Sequence, residues 1–148
     1  MSLLPRAARI LLGAIFLWAS VTKVPDMAAF AESVANYRIV PPALVPAVAA
    51  AVVGVEIAAG VALVLNVWVR AAALVLSALL AVFTVGLASA LARGIDLSCG
   101  CFGGNAPATW WTVLRDVVLL GLAVAVAISS PPSPARAPSR PPDPAPAP

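Results

Sequence analysis

Four stretches of this chain are each long enough and apolar enough to cross a lipid bilayer, and they constrain its fold more than any other feature. They run from Ala8 to Val24, from about Ala43 to Trp68, from about Ala71 to Ala92, and from Trp110 to Ser129. A hydrocarbon core about 30 Å thick takes roughly 20 helical residues to span. Backbone amides inside lipid find no water, so they must be satisfied within the segment, which means helices and not open strands. Composition agrees: 62% of the 148 residues are hydrophobic and only 10% are charged, against about 25% charged in an ordinary soluble domain. The sequence predicts an all-α fold, a four-helix transmembrane bundle in the lipid bilayer.

The chain divides into a membrane domain over residues 1–129 and a tail over residues 130–148. The tail is crowded with prolines, which supply neither helix nor core, and it is expected to be disordered or polyproline-like. Between the first two spans, Met27, Phe30, Val34 and Tyr37 recur every three or four residues. That spacing predicts a short amphipathic helix, opened by Pro25 and closed by Pro41–Pro42, lying at the membrane interface. The second connection, around Asn66–Arg70, is short enough to be a tight hairpin. The first apolar run, preceded by Arg6 and Arg9, also has the form of a signal peptide. Lys23, Pro25 and Asp26 interrupt the approach to the small-x-small site at residues 29–31, so a retained span is the expectation.

The net charge of +3 comes from cations at the ends of apolar runs, where helices leave a bilayer, and does not point to nucleic acid. Four spans put both termini on one side. Arg6, Arg9, Arg70, Arg136 and Arg140 gather there, against Lys23, Arg38, Arg93 and Arg115 opposite. The positive-inside rule then puts the termini in the cytoplasm of a cell (plasma or inner) membrane.

The chain has no histidine and two cysteines. Two thiolates cannot complete an all-cysteine zinc or iron–sulfur site, which takes four, so no resident metal is expected. Cys99 and Cys101 flank Gly100 in "RGIDLSCGCFGG", residues 93–104, inside the longest polar interval of the membrane domain. A disulfide needs its Cα atoms about 4.4–6.8 Å apart, and Gly100 supplies the sharp turn that so short a spacing requires. A ring this small contributes little stability. Strained, exposed bridges are oxidising and labile, so exchange fits better than a structural staple. On an outer face, such thiols meet oxidising conditions. Two unrelated thiols, or a static clip, remain the plainer alternatives.

Charges at membrane depth are costly and are usually paired or functional. Glu56 lies near the middle of the second span, and Asp116 lies about six residues inside the fourth beside Arg115. Lys23, Arg93, Asp96, Arg115 and Asp116 belong to the outer half with the cysteines. They read either as an ion-pair cluster pinning helix ends, or as basic neighbours that favour a thiolate. Glu56 reads either as a structural acid bonded to a neighbouring helix or as a proton relay.

These residues together resemble the methylamine utilisation protein E (MauE) family, within the wider DoxX-like group. The resemblance rests on "GAIFLWASVTKVPDMAAF" with Lys23, Pro25 and Phe30, on "NYRIVPP", on Glu56, on "RGIDLSCGCFGG" and on Arg115–Asp116. It covers roughly residues 8–128. It implies a multi-pass redox-associated membrane protein whose Cys99 and Cys101 exchange thiol and disulfide with a thioredoxin-fold partner. Founding members are linked to maturation of methylamine dehydrogenase. Broader relatives are linked to quinone, which leaves a quinone-reactive oxidoreductase subunit as an alternative; it would need a pocket such as Trp110, Trp111 and Phe102 could line, although tryptophans at a helix start read more readily as interface anchors. A non-enzymatic membrane scaffold is the third reading. Client, electron direction and oligomeric state do not follow from the residues.

Overall fold

The computed structural model describes residues 3–94 and 108–131. Among these residues there is no strand; five α-helices follow one another as α1 (Leu3–Lys23), α2 (Met27–Asn36), α3 (Val45–Leu65), α4 (Val69–Ala92) and α5 (Trp110–Ser129). Four helical stretches are long and apolar enough to cross a membrane. The protein is a multi-pass membrane protein. Its outward faces carry large apolar side chains such as Val82, Val85, Val118 and Ile128, a surface suited to lipid and not to water.

Each helix boundary has a local cause. α1 stops at Lys23, where Pro25 forces a short 3₁₀ turn over Val24–Asp26. Asp26 then restarts the chain as the N-cap of α2, its carboxylate accepting from the Ala29 N–H at 2.9 Å, which satisfies one otherwise unpaired amide. The amphipathic helix expected after Pro25 is present. Its Phe30 and Val34 pack with Val45, Ala49 and Val53 of α3, so α2 carries the line of α1 onward beside the first half of α3. A second 3₁₀ turn, Pro42–Leu44, leads into α3. The α3–α4 hairpin turns on Asn66 and Trp68, both left-handed, at φ 62° and 47°. Asn tolerates that conformation well, and the Asn66 and Val67 N–H groups close off the end of α3 on Leu63 and Ala62 carbonyls.

α1 packs chiefly on α3, and α4 on α5. The α1–α3 crossing is close because Gly13 faces Gly60. A Cβ at Gly13 would lie 2.9 Å from the Gly60 carbonyl oxygen and 2.9 Å from Val64 Cγ2, and one at Gly60 would lie 2.9 Å from Leu17 Cγ. Gly86 makes room on α4 for the Tyr37 ring, 3.3 Å from where its Cβ would be. Gly54 and Gly121 instead face open space, and Ser77 is buried with its hydroxyl donating to the Ala73 carbonyl. The main core joins Leu12, Phe16, Leu63, Leu76, Leu80 and Val126.

Candidate functional site

Glu56 stands eleven residues after Val45, about 16 Å along α3 at 1.5 Å per residue. Lys23, the last residue of α1, sends its four-carbon chain inward to meet it. The Lys23 ammonium donates to both Glu56 oxygens at 2.7 Å, and the two side chains are only 3% and 5% exposed. The Ser20 hydroxyl, one turn earlier on α1, is within 2.9 Å of the Phe16 carbonyl and 3.4 Å of Glu56 Oε2. Lys23 Nζ also lies 5.1 Å from the Phe30 ring centre, where the negative face of the π system attracts a cation. Each charge therefore has its counter-charge, which a dry interior demands.

Asp116 lies on α5, buried. Oδ1 accepts from Arg115 Nε at 3.3 Å and Nη2 at 3.1 Å. The Arg115 side chain is 37% exposed, whereas that of Asp116 is 3% exposed. Lys23, Glu56 and Asp116 all face one cavity, completed by Ile15, Phe16, Ala19, Phe30, Leu79, Leu80, Phe83 and Leu119. Every helix contributes a wall. The cavity is narrow: it encloses about 30 Å³, the room of a water or two.

Of the residues singled out from the sequence, the structure brings Lys23, Glu56 and Asp116 together, with Arg115 behind Asp116. It does not bring Arg93 in: that side chain is exposed and its Nε donates to the Ser89 carbonyl at 3.1 Å. Asp96, Cys99, Gly100 and Cys101 lie outside the described residues, as does Phe102. Trp110 and Trp111 are 62% and 74% exposed and line no part of the cavity. Exposed tryptophans at a helix start suit a membrane interface. Phe16, Ala19, Leu80 and Phe83 are cavity walls that the sequence reading missed. The spacing Phe16, Ala19/Ser20, Lys23 along one face of α1 was the available signal.

The ends of the cysteine interval are described even though its middle is not. α4 closes at Arg93, whose N–H reaches the Ser89 and Ala90 carbonyls. On the return, Ala108 is buried with Tyr37, Leu87 and Ala90, and the Thr109 N–H reaches Thr112 Oγ1 at 3.3 Å to start α5. Tyr37 meets Phe83 edge-to-face, ring centres 6.3 Å apart at 76°. The described residues that flank the interval thus sit at the end of α4 and the start of α5, by the Tyr37–Leu87–Ala90 cluster.

The sequence profile of the methylamine utilisation protein MauE family matches residues 1–129. The chain belongs to the MauE family. It is similar to the methylamine utilization protein MauE of Paracoccus denitrificans, 38% identical over 128 residues, which is 84% of this chain and 69% of that protein. No solved structure matches it. The MauE match takes in the whole membrane domain and both cysteines, and it stops where the proline-rich tail begins.

Proposed function

We propose that this MauE-family protein is a membrane thiol–disulfide exchanger serving the maturation of exported proteins, with Cys99–Gly100–Cys101 as its reactive loop. A thiolate on a thioredoxin-fold partner attacks one sulfur of a Cys99–Cys101 disulfide. A mixed disulfide forms and the other cysteine leaves as a thiolate. The partner's second thiolate then breaks the mixed bond. The partner ends as a disulfide and Cys99/Cys101 as a dithiol, two electrons having passed; the reverse sequence runs equally, and the two reduction potentials set the direction. In this reading the termini are cytoplasmic, the loop faces outward, and the client belongs to the methylamine-utilisation chemistry named for the relative.

The observation that carries the reading is the MauE match across a domain holding both thiols at Cys-Gly-Cys spacing. The structure supports it by anchoring both ends of the interval, at Arg93 and at Ala108–Thr109, to the α4–α5 pair. Arg93, at the α4 end of the interval, and Arg115, which also pairs with Asp116 at 3.1 Å, are the cations we assign to favour a thiolate; Lys23 is buried against Glu56. Thiol trapping tests the proposal. Cys99→Ser or Cys101→Ser accumulates a covalent adduct with the partner that is released by reductant. Full biological activity in the double serine variant would eliminate the mechanism.

A further inference from the structure

We propose that the cavity between Lys23, Glu56 and Asp116 is a hydration site, in which bound water joins the Lys23–Glu56 and Arg115–Asp116 pairs into one hydrogen-bonded network. The inference is independent of Cys99 and Cys101. The enclosed space is about 30 Å³. One water needs roughly 10–15 Å³ measured in that way, together with about two to four polar partners. Three charged side chains face the space, each from a different helix: Lys23 from α1, Glu56 from α3 and Asp116 from α5. The rest of the wall is hydrocarbon, with the Phe16, Phe30 and Phe83 rings its largest parts.

The bonding capacity of these groups fits water. A lysine ammonium has three N–H donors, and a carboxylate has about four acceptor sites. Two of the Lys23 donors go to the Glu56 oxygens at 2.7 Å, which leaves one N–H and part of the acceptor capacity of Glu56. Asp116 accepts from Arg115 through Oδ1 and has capacity to spare. The charge of Lys23 acts on Asp116 as well as on Glu56, so the ammonium and both carboxylates form one electrostatic unit. A water that accepts from Lys23 Nζ and donates one O–H to each carboxylate makes three bonds and adds no charge. Ion pairs taken out of bulk solvent are stabilised when such extra hydrogen bonds satisfy the protons and lone pairs left over. An entering ion would instead shed its own hydration for groups that already have their counter-charges. The bridge ties α5 to the α1–α3 pair, and Arg115 is held to the same network through Asp116 Oδ1.

Lys23 is the only lysine of the chain, so labelling lysine with nitrogen-15 gives a single ammonium signal. The test is solid-state NMR of the full chain in lipid bilayers, reading the transfer of magnetisation from water protons to Lys23 Nζ. A water cross-peak is expected in the unaltered protein. Ala19→Val fills the space from a buried wall position and is expected to abolish the cross-peak, while the ammonium signal keeps the shift of a carboxylate-paired lysine. Asp116→Leu removes one acceptor of the water and is expected to weaken the cross-peak; it serves if Ala19→Val does not fold. Absence of the cross-peak in the unaltered protein, with the ammonium signal resolved, would overturn the proposal. The space would then be dry, and the third N–H of Lys23 would rest on the Phe30 ring, 5.1 Å away. Transfer that neither variant changes would overturn it too, because that water would lie outside the cavity.

Discussion

Replacing Lys23 by methionine removes the ammonium and keeps most of the hydrocarbon chain, leaving Glu56 buried without its partner. Breaking a buried ion pair from one side costs about 3–5 kcal/mol, and the lost contact with the Phe30 ring adds about 1 kcal/mol. Lys23→Met is therefore expected to destabilise the bundle by about 4–6 kcal/mol. Glu56→Leu leaves the ammonium buried without its counter-charge, so its cost is also expected at about 3–5 kcal/mol. The double replacement Lys23→Met with Glu56→Leu removes both charges together and should restore most of the loss, since an apolar pair of similar volume is often neutral or better. The two side chains touch at 2.7 Å, so the cycle should show strong non-additivity, with a coupling of about 3 kcal/mol or more against the 0.5 kcal/mol typical of distant sites. Reversible unfolding in mixed micelles, followed by tryptophan fluorescence, measures all four proteins. If Lys23→Met costs under about 1 kcal/mol, or the effects of the two residues simply add, the pair is not the clamp between α1 and α3 that the geometry describes.

Three further outcomes follow from the packing. Gly13→Leu or Gly60→Leu should destabilise by about 1–3 kcal/mol through overpacking, because a Cβ at either position would sit 2.9 Å from its neighbours; Gly54→Ala and Gly121→Ala, with nothing nearby, should be neutral or stabilising in the same unfolding assay. Asp26→Ala should cost about 1 kcal/mol through the lost cap on α2, and Asp26→Asn should recover most of it. Trp110→Ala and Trp111→Ala should each change stability by no more than about 0.5 kcal/mol in that assay, since both rings are exposed.

The spans were legible because their signal is local: a run of about 20 apolar residues needs no knowledge of its neighbours. So was α2, whose 3–4 spacing placed Phe30 and Val34 on the face that α3 covers. Lys23, Glu56 and Asp116 stood out one by one, because a charge in an apolar run is rare. Their convergence was not legible. Lys23 and Glu56 are 33 residues apart in sequence, and α3 is apolar on every side, so no periodicity showed which helix it would face. The glycines show the same limit: Gly13, Gly54 and Gly121 look alike in their apolar runs, yet a Cβ would clash at Gly13, which sets the α1–α3 distance, and would meet nothing at the other two. Trp110 and Trp111, which read first as interface anchors, are left exposed by the fold. At the first turn of α5 they point outward, and the aromatic walls come from α1, α2 and α4 instead.

The most direct test of the disulfide-exchange account is a redox titration of Cys99 and Cys101 in native membranes, with acid quenching and mass-tagging of free thiols. The account predicts that both thiols titrate together as one two-electron couple, within reach of a thioredoxin-fold partner's potential, and are tagged by a membrane-impermeant reagent from the outer face. Two thiols that stay free at every potential, or that are tagged only from the cytoplasmic side, would contradict it.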